Sequence, residues 1–280
     1  MDAEFADRRA RFAALHEAGC FVIPNPWDVG SARALAALGF EALATTSAGM
    51  ALSAGRPDGA TTRDEALRHV ATLARATSLP LNADFEDGFG ASAEEVGESV
   101  RACVVAGASG LSIEDWSSDP AIGFHARDVA VRRLRAARAA IDFCGERVLL
   151  VARSEAFLNG HPGGLGEALA RVERFASEGA DVLYVPGLST DEDVRAVVRV
   201  AGRTPVNVLV NRPNFTVARL ADLGVRRISV GAAMARAAWG GFLRAAREIA
   251  AEGRFDALAD AAAYGDVVSL LTKTGERRWP

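Results

Sequence analysis

Lysine is almost absent. The 280-residue chain has one, Lys273, near its C-terminus. A Schiff-base mechanism needs a lysine amine deep in a site, so that chemistry is excluded unless the tail folds back. Positive charge falls instead to arginine, whose planar, permanently charged fork suits carboxylates and phosphates. The four histidines, His16, His69, His125 and His161, are scattered, and no pair has the spacing of zinc ligands. Three widely spaced cysteines, Cys20, Cys103 and Cys144, exclude a disulfide framework and fit buried free thiols in a reducing cytoplasm. Apolar runs are no longer than a strand, so nothing spans a bilayer. The charged, amphipathic stretch from Met1 to Leu15 has no secretory apolar core. A net charge of −4, with no basic cluster among aromatics, implies neither nucleic acid nor an anionic membrane as partner.

What is present is a concentration of carboxylates at strand ends. The stretch Leu81-Asn82-Ala83-Asp84-Phe85-Glu86-Asp87-Gly88-Phe89-Gly90 follows Pro80 and reads as a strand running into a glycine-flanked turn. Alternation along a strand puts Asp84 and Glu86 on one face and Phe85 on the other. Two readings fit: a divalent cation between the carboxylates, or a solvated acidic turn with Asp87-Gly88 at its corner. A second acidic strand end, Ser112-Ile113-Glu114-Asp115, favours the cation.

Strand and helix patterns alternate along the whole chain. After an N-terminal helix over Ala3–Ala18, strands are predicted at Cys20–Asn25, Ala42–Ser47, Leu79–Asp87, Gly110–Asp115, Val148–Glu155, Asp181–Pro186, Val206–Asn211 and Arg227–Gly231. A loop over 48–60 precedes a helix capped by Thr62-Arg63-Asp64-Glu65, and Ser92 caps the next. A long helix, Ala233–Ala251, and a further one, Phe255–Leu271, follow the last strand. Continuous apolar strands, each followed by a helix, are those of a parallel sheet covered on both faces. Eight such units predict an α/β fold, a (β/α)8 TIM barrel forming one domain over 1–280, with an extra N-terminal helix and a C-terminal helical extension at about 233–271. A doubly wound sheet is the alternative, but Pro24-Asn25-Pro26-Trp27-Asp28-Val29-Gly30 is no dinucleotide fingerprint.

Chemistry in such barrels sits at the carboxyl ends of the strands. Those ends supply Asn25 and Asp28, Ser47 and Asp58, Asp84, Glu86 and Asp87, Glu114 and Asp115, Arg153 and Glu155, then Asn207 and Asn211. Arg153 reads either as a brace for the rim carboxylates or as a clamp on a substrate carboxylate or phosphoryl group. Ser47-Ala48-Gly49 is either a plain turn or a set of backbone N–H groups for an anion.

From about Phe21 to Ile249 the chain resembles the phosphoenolpyruvate mutase/isocitrate lyase superfamily. The residues that carry the resemblance are Ser47-Ala48-Gly49 with Asp58, Asp84 to Gly90, Ile113-Glu114-Asp115, and Val151-Ala152-Arg153-Ser154-Glu155-Ala156. It implies Mg²⁺ (or Mn²⁺) with Asp84 as principal ligand, Glu86 and Glu114 holding metal-bound waters, and Asp58 beside them. It also implies a small 2-oxo or enol carboxylic acid as substrate, oxaloacetate-like, gripped by Arg153, Ser47, Ala48, Gly49 and Asn207, with catalytic work falling to Asp58, Arg153 and Glu114. Exchange of the C-terminal helices in a homodimer or homotetramer is implied too. The departures from the family pattern are specific. The family's lyases carry Lys-Lys/Arg-Cys-Gly-His in the loop after strand four, where this chain reads Trp116-Ser117-Ser118-Asp119-Pro120-Ala121-Ile122-Gly123-Phe124-His125. The lysine and asparagine of the family's mutases are missing there as well, and Glu86 stands for the usual aspartate. What remains is cleavage of a C–C bond beside a carbonyl through a stabilised enolate. P–C bond chemistry and a barrel that only binds an acid metabolite are the alternatives.

Overall fold

Eight parallel strands form one sheet in the order β1-β8-β7-β6-β5-β4-β3-β2, a (β/α)8 barrel. In this computed structural model residues 3–272 are described, so Lys273 and the tail that carries it lie outside the described residues. In chain order the elements are α1 (Ala3–Leu15), β1 (Phe21–Ile23), α2 (Val29–Ala37), β2 (Leu43–Ala44), α3 (Ser47–Ser53), α4 (Arg63–Ala76), β3 (Leu81–Asp84) and α5 (Ala93–Val105). They continue with β4 (Gly110–Glu114), α6 (Arg127–Phe143), β5 (Leu149–Arg153), α7 (Gly164–Ser177), β6 (Val182–Tyr184), α8 (Asp191–Ala201), β7 (Val206–Leu209) and α9 (Val217–Asp222). β8 (Arg227–Ser229), α10 (Ala233–Glu252), a 3-10 turn (Asp256–Asp260) and α11 (Tyr264–Thr272) complete the chain.

Two apolar layers hold the barrel. Outward-facing strand residues such as Leu81, Ala83, Leu111, Ile113, Leu150 and Leu183 pack against Val96, Val100, Leu134 and Val172 of the helices. Each fully buried Leu, Ile or Phe contributes about 1.5–3 kcal/mol through removal from water. A second layer closes the foot of the barrel, where Phe12 of α1 meets Phe21, Ile23, Ala42, Ala44 and Leu149. The seam between β1 and β2 is joined by the Ala44 N–H, which donates to the Pro24 carbonyl at 3.0 Å. Asn25 reinforces it: its amide donates to Thr45 O at 2.8 Å, and its oxygen accepts the N–H groups of Val230 and Gly231. Asn25 is thus a tie between the first, second and eighth units.

The capping boxes read at Thr62 and Ser92 are both formed. Most strands are one to four residues shorter than the sequence reading, and four differences matter for the site or the chain's end. α1 stops at Leu15, short of Ala18. β2 is two residues, and Ser47 opens a helix where a loop was predicted, because the Thr46 hydroxyl accepts the Gly49 N–H and nucleates the turn. β3 ends at Asp84 because Glu86 has left-handed backbone, φ 46°. The helix predicted over Phe255–Leu271 is broken by extended backbone at Ala261, for which the local sequence gives no signal. Cys103 is buried, as read, whereas Cys20 and Cys144 are half-buried, and all three are free thiols.

The turn after β3 depends on Gly88. Its φ is +91°, and a Cβ there would meet Val96 Cγ1 at 2.8 Å. Gly88→Ala should therefore lower unfolding free energy by about 1–3 kcal/mol, the cost of a left-handed non-glycine residue with nowhere to move. Urea titration checks this, and an unchanged midpoint would show that the turn relaxes freely.

Candidate active site

The strand ends bring the predicted acidic residues to one mouth. Asp84 ends β3, Glu114 ends β4 and Arg153 ends β5, with Glu114 and Arg153 paired in register. The Arg153 Nη1 lies 3.1 Å from Asp84 Oδ1 and 3.3 Å from Glu114 Oε2, and its Nε donates to Glu155 Oε1. Its guanidinium carbon also sits 5.1 Å from the centre of the Tyr184 ring, a cation–π contact. Burial alone would lower the Arg153 pKa, but Glu155, Glu114, Tyr184 and Asp84 together raise it well above its ordinary value. Among the described residues Nη2 has no hydrogen-bond partner, so one prong of the fork remains for a ligand.

Asp84 is fixed from the other side. Its Oδ2 accepts from the Ser47 N–H at 2.9 Å and the Ser47 hydroxyl at 3.0 Å, while its own N–H donates to Thr45 Oγ1 at 2.7 Å. The expected anion loop is therefore largely committed. The N–H of Ser47 serves Asp84 and that of Gly49 serves the Thr46 cap, while Ser47 and Ala48 both line the cavity.

Asp84 and Glu86 do not share a strand face, since Glu86 lies beyond β3 in the left-handed turn. It reaches the site from the loop instead, and its carbonyl accepts the Glu114 N–H at 2.9 Å. Burial, then the charges of Asp84, Asp58 and Asp87, push the Glu86 carboxyl up to about 8. Asp58 is also raised, by burial and Asp84. Glu114 is raised well above the ordinary value by burial, with Arg153 opposing and Glu155, Asp84 and Glu86 adding to it.

Around the mouth lies a further ring of ion pairs. Arg171 Nη1 is 3.1 Å from Asp115 Oδ2 and donates to the His125 carbonyl, while Asp115 Oδ1 accepts the Glu155 N–H at 2.7 Å. Arg133 holds Asp87 at 3.0 Å, and His125 approaches the same carboxylate at 3.4 Å. The loop over 115–126 leans across the site. Trp116 packs edge-on against Phe124, Phe124 against His161, and the Ser118 hydroxyl donates to Gly59 O at 3.2 Å.

Two adjoining hollows result. One, about 190 Å³, is lined by Ser47, Asp58, Glu86, Glu114, Trp116 and Arg153. The other, about 210 Å³, runs down the barrel past Asp84, Ser112, Tyr184 and Asn207 to Arg227. Asn207 lies deeper than the rim. Its oxygen accepts from Arg227 Nε at 2.9 Å and its amide donates to Ser229 Oγ at 3.0 Å. Asp28, by contrast, is a helix cap. Sequence reading passed over Asn82, Tyr184, Arg171 and Arg227. The signal for Arg227 was an arginine inside an apolar strand, Val225-Arg226-Arg227-Ile228.

Among the described residues no three His, Cys, Asp or Glu side chains converge as a ready metal cage. The donor set nevertheless fits a hard cation that keeps its waters, which needs one or two carboxylates and oxygen ligands throughout. Glu86 Oε1 is buried without a hydrogen-bond partner, as an oxygen awaiting a bound water would be.

A parallel eight-stranded barrel with a carboxylate rim around one arginine places the chain among the (β/α)8-barrel proteins with a polar mouth. Residues 12–250 match the family model of phosphoenolpyruvate phosphomutase, and the chain belongs to the phosphoenolpyruvate mutase/isocitrate lyase superfamily. It is 44% identical to a lyase/mutase candidate from Burkholderia cenocepacia J2315, covering 95% of this chain and 96% of that one with a TM-score of 0.91. An oxaloacetate decarboxylase of Pseudomonas savastanoi pv. phaseolicola is 30% identical over 235 residues, 80% of this chain and 78% of the relative. The 2-methylisocitrate lyase of Escherichia coli K12 is 29% identical over 63% of this chain and 60% of its own length. The chain is an enzyme of this superfamily, whose members include carbon–carbon lyases and mutases. No helix among the described residues is long and apolar enough to cross a membrane.

The raised Glu86 carboxyl sets a pH prediction for the metal-free protein. Its folded value of about 8 lies above its ordinary 4.5, so the native state holds the extra proton between them. Stability from this group is full below the lower value and is lost as pH rises through the upper one. Buried His16, held down to about 3, acts oppositely only below its ordinary 6.5, and equally in both proteins. In EDTA, Glu86→Gln should gain on the wild type as pH goes from about 5 to about 8. Parallel stability curves would contradict the assignment.

Proposed function

We propose that this enzyme cleaves a C–C bond in a small 2-oxo or enol dicarboxylic acid of the oxaloacetate kind, with Mg²⁺ or Mn²⁺ at the rim. The observation that carries the reading is the charge pattern at the mouth. Asp58, Asp84, Glu86, Glu114 and Glu155 gather around Arg153, and burial, with the neighbouring carboxylates adding to it, raises the carboxyls of Asp58, Glu86 and Glu114. All-oxygen carboxylates held together against repulsion suit a hard cation over zinc. Asp84 is assigned as the direct ligand, with Glu86 and Glu114 holding bound waters. When bound, the ion supplies positive charge where the carbonyl oxygen becomes negative.

The chain's own residues do the rest. Arg153, anchored by Glu155 through Nε and by Asp84 and Glu114 through Nη1, turns its remaining prong, Nη2, to a substrate carboxylate. Ser47 and Ala48 line the side of the same hollow, and Asn207 lines its depth. Asp58 lines the pocket and is assigned to deliver a proton to the enolate carbon after the C–C bond has broken, leaving its own carboxylate to be reprotonated from water. Trp116 and Ser118, from the loop after β4, line the same hollow. That loop has neither the lyase cysteine nor the mutase lysine, which argues for simple cleavage over isocitrate-type or phosphonate chemistry. The likeness to an oxaloacetate decarboxylase supports the same substrate class.

A panel of 2-oxo acids assayed with Mg²⁺ and with EDTA tests this directly. Oxaloacetate or a close relative should turn over with the ion and not without it, and Asp84→Ala should lose at least a hundredfold in kcat/KM. Turnover that ignores both EDTA and Asp84→Ala would reject the ligand assignment, and none on any acid would reject the activity.

A second copy of the chain is proposed as partner. α10 buries one residue, Ala235, in twenty, and exposes Trp239, Phe242, Leu243 and Ile249. Apolar hollows of about 590 and 540 Å³ flank that helix, lined by Leu52, Pro57 and Trp239 on one side and Phe242, Ile249 and Leu258 on the other. Exposed apolar surface of this extent marks an interface, and α10 with α11 is the segment proposed to be exchanged. Sedimentation should give a dimer or tetramer, and Trp239→Glu with Phe242→Glu should give monomers. A wild-type monomer at micromolar concentration would overturn it.

A further inference from the structure

Barrels of this kind are usually filled with layers of Val, Leu and Ile. Here the interior beneath the carboxylate rim is polar on several strands: Asn82 on β3, Ser112 on β4, Tyr184 on β6, Asn207 on β7, and Arg227 and Ser229 on β8 line one hollow of about 210 Å³. That is roughly seven waters' worth of space. It opens upward to Ser47, Asp84 and Arg153, so it continues the active site.

Arg227 is the anomaly in it. Five arginines are buried in the described structure, and four of them are ion-paired: Arg8 with Glu4, Arg9 with Glu146, Arg133 with Asp87 and Arg171 with Asp115. Arg227, 3% exposed, has no carboxylate partner among the described residues. Its Nε donates to Asn207 Oδ1 at 2.9 Å and its Nη1 reaches Asn82 Oδ1 at 3.4 Å, both neutral acceptors, while Nη2 has no hydrogen bond among the described residues. Burial pulls its guanidinium down to about 10 with no carboxylate to oppose it. The turn after α1 places His16 near it, itself held neutral by burial. An unpaired buried cation is among the costliest arrangements a core can hold, unless a ligand supplies its counter-ion. The two asparagines fix the fork, and the cavity leaves space beside it.

We propose that Arg227 is a second anion subsite, which takes the carboxylate of the substrate remote from the rim and so selects dicarboxylic over monocarboxylic acids. The inference rests on the proposed diacid substrate, but it is a binding claim and needs neither the cation nor turnover. Asn82 and Asn207 are positioning residues that hold the guanidinium toward the hollow.

The test measures affinities of succinate and butyrate, matched in carbon number, by calorimetry in EDTA. The wild type should bind succinate at least tenfold more tightly than butyrate. Arg227→Gln should remove that preference, leave butyrate unchanged, and melt no lower than the wild type when unliganded, since a buried unpaired charge has been deleted. Arg227→Lys should retain part of the preference. Equal affinities in the wild type, or a preference that survives in Arg227→Gln, would overturn the proposal, as would a Gln variant that melts early and keeps its succinate affinity. If the Gln variant fails to fold, the wild-type comparison alone decides. A 2-oxo acid panel without turnover beside an intact succinate preference would reject the proposed reaction and leave the subsite standing.

Discussion

The site depends on one arginine held among carboxylates. Arg153 binds Glu155 through Nε and bridges Asp84 and Glu114 through Nη1. Without it, carboxylates from three successive strand ends would meet in a poorly solvated mouth with nothing of opposite sign among them. One cation does not neutralise them, and the carboxyls of Asp58, Glu86 and Glu114 remain raised in pKa. The residual negative charge is what the proposed divalent ion would relieve beside the arginine.

The scaffold keeps this arrangement rigid through a second set of pairs. Arg171 locks Asp115, Asp115 receives the Glu155 N–H, and Arg133 and His125 hold Asp87. These contacts tie α6 and α7 to the strand ends, so helix packing is transmitted to the carboxylates. Local strain is stored beside them: Glu86 and Phe89 both have left-handed backbone, φ 46° and 53°. Such conformations persist where the surroundings determine them, and Phe89 is held edge-on by buried Phe85.

The architecture was legible because parallel strands buried on both faces write themselves as apolar runs, and because Thr62 and Ser92 announce their helices. The rim was legible for a related reason: Asp84, Glu114 and Arg153 are polar interruptions at the carboxyl ends of those runs. What escaped depends on tertiary geometry. Thr46 was the local signal for a helix opening at Ser47, but nothing local says that the Ser47 N–H turns to Asp84 across thirty-seven residues of sequence. Glu86 was assigned to a strand face because alternation assumes the strand continues. It does not, and the residue reaches the site by a turn. Arg227 was missed since a charge in a strand reads as an edge or surface residue until the closed barrel places it at the centre.

The central claim is that the carboxylates around Arg153 form a site for one hydrated divalent ion. Mn²⁺ titration followed by electron paramagnetic resonance, with line broadening by ¹⁷O-water to count retained waters, tests it most directly. The account predicts one tightly bound ion per chain with most of its coordination sphere still water, and loss of that signal in Asp84→Ala. Absence of stoichiometric binding, or an ion stripped of water within an all-protein cage, would contradict it.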